Sequence, residues 1–148
     1  MLVRRATRAD IPDLMVLETR SATAAHWTTK QYEAVFSSEV SSRVVLILED
    51  KSGVQGFIVG RAVGEEWEIE NIAVAGPARR LGQGTRLLGE FLDLAQGRGA
   101  QAVFLEVRES NLAARRLYEK WAFIEAGRRK HYYREPKEDA IVYRLGFA

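Results

Sequence analysis

The hydrophobic pattern of this chain changes from strand-like to helical period near its middle, and this change limits the folds that the chain can adopt. Three β-type runs lie within residues 43–74, separated by turns at Lys51-Ser52-Gly53 and Gly64-Glu65. Over residues 82–96 the apolar side chains recur at helical spacing instead, and Gly97 ends that helix. A strand meander that leads into an amphipathic helix predicts an α/β fold around a mixed sheet.

The segments on both sides of this centre complete the order of elements. A short strand is predicted at 2–7, and Asp10 is placed to cap a following helix. The buried side of this helix comprises Ile11, Leu14, Met15 and Leu17. The remaining elements are a helix at 28–36, a strand at 102–107, a helix at 111–121 and strands at 122–129 and 139–147. The predicted order is β-α-α-β-β-β-α-β-α-β-β, within one domain that spans residues 1–148.

The composition excludes several kinds of chemistry. The chain contains no cysteine, which excludes disulfides, thiolate zinc sites and a cysteine nucleophile. Only two histidines are present, so we expect no histidine-rich metal cluster and no metal. The N-terminus lacks an apolar signal core and no apolar run approaches the length of a membrane span, so we expect a cytoplasmic protein without a membrane partner. A net charge of +2 does not require nucleic acid but tolerates an anionic ligand.

A pair of glycines opens the longest predicted helix. Gly82 and Gly84 follow the apolar run Ile72-Ala73-Val74, and their missing Cβ atoms let an anion approach the unpaired N–H groups of the first helical turn. An isolated glycine pair often only closes a turn, but three arginines flank this one, at Arg79, Arg80 and Arg86. No Gly-Lys-Ser/Thr follows and a third glycine is absent, which disfavours a nucleoside triphosphate and a dinucleotide as ligands.

The segment Arg79-Arg80-Leu81-Gly82-Gln83-Gly84 resembles the acetyl-CoA signature Q/R-x-x-G-x-G/A of the GNAT superfamily of N-acetyltransferases. Residues 104–111, 117–119, 127–133 and 138–140 resemble, in the same order, motifs of its RimI branch, the ribosomal-protein alanine N-acetyltransferases. The resemblance implies a mixed, mostly antiparallel sheet flanked by helices. It also implies acetyl-CoA as the acyl donor and a protein N-terminal α-amine, favouring an alanine-starting ribosomal protein, as the acceptor.

The same resemblance assigns the donor site. The backbone of Ile72, Ala73 and Val74 is expected to pair with the pantetheine amides as an added strand would. The pyrophosphate is expected to lie on the amides of the loop and first turn that comprise Arg79, Arg80, Leu81, Gly82, Gln83, Gly84 and Thr85. Asn111 is expected to hydrogen-bond to the donor. An N-cap role for Asn111 is equally consistent with its position and compatible with the first role.

The reaction needs a base for the amine and an acid for the departing thiolate. Glu106, between Leu105 and Val107 on a strand, is the candidate base, although it could instead only pair with an arginine such as Arg108 or Arg129. Glu70 is the reserve candidate. Tyr118 is the candidate acid because a phenol with a pKa of about 10 is protonated at neutral pH; its alternative role is that of a core aromatic. A covalent acyl-enzyme is not expected, since the chain has neither a cysteine nor a G-x-S-x-G elbow.

The acceptor end of the site is assigned to Trp27, Tyr132 and Tyr133, large amphipathic residues in loop-like sequence contexts, together with Glu70. Trp27 could equally cover the edge of the core. The chain departs from the RimI pattern at three places: Ala25-His26 stands for Phe-Pro, His131 for Asn, and Trp121-Ala122-Phe123 for Leu-Gly-Phe. These departures leave the donor site intact and bear on the acceptor.

Three other functions compete with N-terminal acetylation. One is acetyl transfer to a lysine or a small amine, and another is a regulatory domain that binds acetyl-CoA without catalysis, which the presence of both Glu106 and Tyr118 disfavours. The third is nucleic-acid binding, suggested by a basic cluster of Arg128, Arg129, Lys130, Arg134 and Lys137. Such a cluster is more often a solvated face, so no nucleic-acid partner is expected.

Overall fold

A computed structural model of the chain describes residues 2–20, 27–37, 42–76, 82–134 and 137–147. Within them the strands are β1 (Leu2–Arg5), β2 (Arg43–Asp50), β3 (Gly53–Val63), β4 (Glu66–Val74), β5 (Ala102–Arg108), β6 (Ile124–Arg134) and β7 (Lys137–Gly146). The helices are α1 (Ile11–Thr19), α2 (Thr29–Ser37), α3 (Gln83–Gly97) and α4 (Leu112–Lys120). This is the order that the sequence predicts.

The strands form one sheet in the order β1-β2-β3-β4-β5-β7-β6. Every neighbouring pair in it is antiparallel except β4 and β5, which are parallel. The expected mixed, mostly antiparallel sheet is therefore confirmed. Helix α3 supplies the long crossover that a parallel pair requires. Among the described residues, no helix is both long enough and apolar enough to span a bilayer.

Helices pack on both faces of the sheet. Leu87, Leu88 and Phe91 of α3 lie against one face, together with Tyr118 of α4. The other face carries α1 and α2, whose buried residues there are Ile11, Leu14, Leu17, Tyr32 and Val35. The first face is packed so closely that a Cβ atom at Gly60 would overlap the Phe91 ring. Both faces of the central strands are thus buried, as their nearly continuous apolar runs require.

A bulge in β4 lies beside the point where β4 and β5 separate. Val59 of β3 pairs with Asn71 and the next residue, Gly60, pairs with Ile69, so Glu70 is the extra residue of β4. The bulge reverses the alternation of the strand: Trp67 and Ile69 belong to the core on the α3 side, whereas Asn71 and Ala73 turn to the α1–α2 side. The parallel pairing of β4 with β5 ends at Ile69 and Leu105.

Two local predictions were wrong. The strand predicted to stop at 129 continues as β6 to Arg134, so Tyr132 and Tyr133 lie on a strand and not in a loop. Pairing with β7 resumes at Tyr133 after an irregularity that the local pattern did not reveal. Asp10 precedes α1 as predicted, but its carboxylate accepts hydrogen bonds from Arg4 and from the Thr7 N–H instead of capping α1.

Candidate active site

A cleft of about 690 Å³ opens where β4 and β5 stop pairing. The structure brings predicted site residues from four elements, and from the segments that precede α2 and α4, to its walls, namely Trp27, Glu70, Ile72, Glu106, Asn111, Tyr118, Tyr132 and Tyr133. Gly82 to Thr85 lie at the start of α3. Arg79, Arg80 and Leu81 are outside the described residues. The residues assigned to the acceptor and to proton transfer therefore line one opening together with Ile72 and Asn111, whereas Ala73, Val74 and Gly82 to Thr85 do not line it.

Glu106 lies on the wall formed by β5. Its side chain is 18% exposed, and Oε1 lies 3.0 Å from Nε of Arg129 on β6. Arg108, the other arginine considered as a partner, pairs with Glu138 and stacks on the ring of Tyr133. The carboxylate of Glu106 thus faces the cleft and is at the same time oriented by a half-exposed guanidinium.

Tyr118 stands on the wall formed by α4 and is held by the end of that helix. The Phe123 N–H donates to the carbonyl of Tyr118, and the Ala122 N–H donates to that of Glu119, which is the hydrogen-bond pattern of a Schellman motif. The rings of Phe123 and Tyr143 pack against that of Tyr118, with centroids 5.6 and 6.3 Å away. Burial, and secondarily Tyr133, raises the pKa of Tyr118 above its ordinary value. The phenol at this wall is therefore protonated at neutral pH.

Ala122 occupies the left-handed position of this motif, with φ at +69°. A residue with a Cβ atom loses roughly 1 kcal/mol there relative to glycine. We expect Ala122→Gly to raise the free energy of unfolding by about that amount in urea denaturation. Ala113→Gly, inside α4, is the matched control and should lower it, because glycine is unfavourable within a helix. A loss of stability in Ala122→Gly would contradict this expectation.

Tyr132 and Tyr133 reach the cleft through the irregularity of β6. Between Arg129 and Tyr133 the register with β7 shifts, and His131 adopts a left-handed φ of +54°. The His131 N–H donates to Asp139, whose carboxylate also accepts from Arg128. These two donors lower the pKa of Asp139. Because left-handed backbone suits Asn and Gly, the departures from the RimI pattern at His131 and Ala122 both lie where backbone conformation matters most.

Glu70 and Glu68 line the floor of the cleft, and the sequence analysis missed Glu68. Both Glu70 oxygens are paired: Oε1 lies 2.8 Å from Nε of Arg43, and Oε2 lies 3.6 Å from Nε of Arg61. Glu68 pairs with Arg61 at 3.3 Å, and burial raises its pKa against the opposing effect of that arginine. A carboxylate at every second residue from Glu66 to Glu70 was the signal available in the sequence.

The donor side of the site fits a pantetheine and a pyrophosphate. β3 pairs with one edge of β4 up to Val74, whereas β5 leaves the other edge at Ile69, so no described strand pairs with that edge of β4 beyond Ile69. Gly82 has a φ of +72°, and a Cβ atom on it would meet open space. The first N–H groups of α3 follow directly. Buried Oε1 of Gln83 has no hydrogen-bond partner within the described residues, which leaves an acceptor available at the same turn.

Asn111 caps α4. Its side-chain oxygen accepts from the Ala114 N–H at 3.2 Å, so the N-cap role is present, and the residue lines the cleft as well. No group of three or more His, Asp or Glu side chains in the described segments is arranged to hold a metal ion.

Comparison with known proteins decides the family. The sequence matches the model of the acetyltransferase (GNAT) family over residues 11–123, which is most of the chain. The chain belongs to the GNAT family. It is 35% identical to the ribosomal protein bS18-alanine N-acetyltransferase of Escherichia coli K12, over 92% of this chain and 90% of that protein.

Solved structures agree with this assignment. The crystal structure of the ribosomal-protein-S18-alanine N-acetyltransferase from Escherichia coli matches with a TM-score of 0.87 and 30% identity, covering 99% of this chain and 94% of that one. Ard1 from Thermoplasma volcanium matches with a TM-score of 0.87 and 27% identity, covering 99% and 97%. The predicted GNAT membership and RimI-like branch are confirmed, and this GNAT protein is an acetyl-CoA-dependent N-acetyltransferase.

Proposed function

We propose that this GNAT enzyme acetylates the N-terminal α-amine of a protein, and that a ribosomal protein beginning with alanine is its preferred acceptor. The observation that carries the proposal is the convergence of Glu106 and Tyr118 on one cleft, next to the edge of β4 that β5 leaves at Ile69. The names of the relatives from Escherichia coli support the acceptor class. A ribosomal acceptor also agrees with the cytoplasmic location predicted from the sequence.

The residues of the cleft divide the reaction between them. The edge of β4 at Ile72, Ala73 and Val74 orients the pantetheine arm, and the amides at the start of α3 hold the pyrophosphate. Glu106 accepts the proton of the amine, directly or through a water, while the nitrogen attacks the thioester carbonyl. The C–S bond breaks as the tetrahedral intermediate collapses, and Tyr118 donates its proton to the departing sulfur. No enzyme–acetyl bond is needed.

The choice of an α-amine follows from its acidity. An α-amine with a pKa of roughly 7.7–8.0 is about 10–20% neutral at pH 7, whereas a lysine at about 10.4 is neutral to less than ~0.1%. A single carboxylate such as Glu106, already engaged by Arg129, suits the first acceptor better than the second.

A peptide panel tests the acceptor. One peptide begins with a free alanine and lacks lysine, a second has the same sequence with a blocked α-amine and one internal lysine, and spermidine is the third acceptor. Mass spectrometry should locate acetyl on the free α-amine with a kcat/KM at least about tenfold above the others. Acetylation of lysine or spermidine alone would replace the proposed acceptor by the side-chain or small-amine alternative.

The donor site is tested by Gly84→Trp. A Cβ atom at Gly84 would lie 3.6 Å from Cγ2 of Val74, so an indole there would fill the space above the first turn of α3. We expect calorimetry to show at least roughly a hundredfold weaker binding of acetyl-CoA, since the pyrophosphate loses its approach to the amides. Gly97→Trp, at the exposed far end of the same helix, is the control and should bind normally. Equal affinities in the two variants would refute the donor assignment.

A further inference from the structure

A buried carboxylate lies behind the acceptor end of the cleft. Glu18, at the end of α1, is 3% exposed. Its two oxygens accept the Trp27 N–H at 3.0 and 3.1 Å, and Oε1 also accepts from Nδ2 of Asn71 at 2.7 Å. Nδ2 of Asn71 also donates to the Tyr32 hydroxyl at 3.3 Å, and burial, followed by the charge of Glu18, raises the pKa of Tyr32. One side chain thus joins α1, the start of α2 and strand β4.

The local structure makes this meeting possible. Glu18 continues the buried stripe of α1 that Ile11, Leu14 and Leu17 form, so the helix turns it toward the sheet. The bulge at Glu70 turns Asn71 toward the same side. Both side chains are polar and almost fully buried, so the burial of apolar surface does not explain their positions.

The carboxylate has no cationic partner in the described segments. Burial of a charge without a counter-charge is costly, and here hydrogen bonds from the Trp27 N–H and from Nδ2 of Asn71 offset that cost. Both of these donor residues also line the cleft. The Trp27 ring packs on Tyr32, with centroids 5.4 Å apart, so the network holds both the backbone and the ring of Trp27.

We infer that Glu18 is a positioning residue, which holds Trp27 at the acceptor end of the cleft by linking it to Asn71 of β4 and so determines acceptor binding without contributing to acetyl-CoA binding. The inference rests on the proposed function in one respect, namely that the acceptor amine enters beside Trp27. Its physical basis is that a carboxylate can accept all of these hydrogen bonds, whereas an amide at position 18 must turn an N–H₂ group toward a donor.

Steady-state kinetics with Glu18→Gln test the inference. We expect the KM of the acceptor to rise roughly tenfold or more, while the KM of acetyl-CoA stays within about twofold, because one hydrogen bond of the network becomes a clash of donors. The double variant Glu18→Gln/Asn71→Asp exchanges the two groups and restores the pattern: the amide carbonyl at position 18 accepts from Trp27, and its N–H₂ group donates to the carboxylate at position 71. The acceptor KM of this double variant should be lower than that of Glu18→Gln by at least about threefold. Glu33→Gln, on the exposed side of α2, is the control.

A second measurement does not depend on activity. Amide hydrogen exchange at Trp27 should become faster in Glu18→Gln and slower again in the double variant. Unchanged exchange and unchanged acceptor KM in Glu18→Gln would overturn the inference. A parallel rise of both KM values with a lower Tm, without recovery in the double variant, would also overturn it by showing a purely structural role. If the wild-type enzyme does not acetylate the α-amine, the proposed function is wrong. The acceptor KM values of the wild type and the two variants are then compared with the amine that the wild type does acetylate.

Discussion

Glu106→Gln is expected to lower kcat by roughly ten- to ten-thousand-fold, the range found for general acid–base groups. The amide has the shape of the carboxylate but cannot accept the proton that the nitrogen must lose as it attacks the thioester. Because Glu106 lines the cleft from β5 and the proposed donor site lies along β4, acetyl-CoA affinity should be preserved. Single-turnover kinetics at saturating acetyl-CoA measure this effect without a contribution from product release.

Two further variants make the Glu106 result specific. Glu109→Gln removes a carboxylate that follows β5 and pairs with Arg128, and its kcat should stay within about twofold of wild type. Glu70→Gln tests the reserve base, whose oxygens already contact Arg43 and Arg61. Full activity in Glu106→Gln together with a large loss in Glu70→Gln would transfer the role of base to β4.

Tyr118→Phe is expected to lower kcat by a similar factor, because the thiolate must then leave without a proton donor. Phenylalanine keeps the ring contacts with Phe123 and Tyr143, so the Tm should change little. An acid acts only in its protonated form, and burial raises the pKa of Tyr118 above its ordinary value of about 10. The wild-type kcat should therefore show no decline from loss of this proton between pH 8 and 10. An unchanged kcat in Tyr118→Phe would remove the general acid from the mechanism.

The control for this variant is Tyr143→Phe. Tyr143 packs beside Tyr118, but its hydroxyl accepts a hydrogen bond from Arg115 at 3.1 Å and does not line the cleft. Loss of that hydroxyl should cost some stability and leave kcat within about twofold of wild type. Equal losses in both variants would point to disturbed packing under α4 and not to proton transfer.

Much of the site could be predicted from residues that are close in the chain. The glycine pair at the start of α3, the position of Glu106 on a strand and that of Tyr118 on a helix all follow from local periodicity and from a motif with fixed spacing. The N-cap role of Asn111 is equally local. Helix and strand periods are properties of neighbouring residues, so a sequence displays them directly.

Other features depend on residues that the chain brings together from far apart. Asn71 and Glu18 are 53 positions apart, and nothing near either residue indicates the other. The choice of Arg129 over Arg108 as the partner of Glu106 depends on how β5, β7 and β6 align. The extension of β6 through Tyr133 depends on the same alignment, which local propensity does not set.

The sequence by itself determined the order of strands and helices, the glycine-rich turn that suits an anionic donor, and the residue types available for proton transfer. The tertiary structure alone decided which of these side chains meet: it ended the β4–β5 pairing at Ile69, placed a bulge at Glu70 and buried Glu18 beneath Trp27. The physical reason is that strand register and the divergence of two strands arise from packing across the whole sheet. The residues of one segment do not determine that packing by themselves.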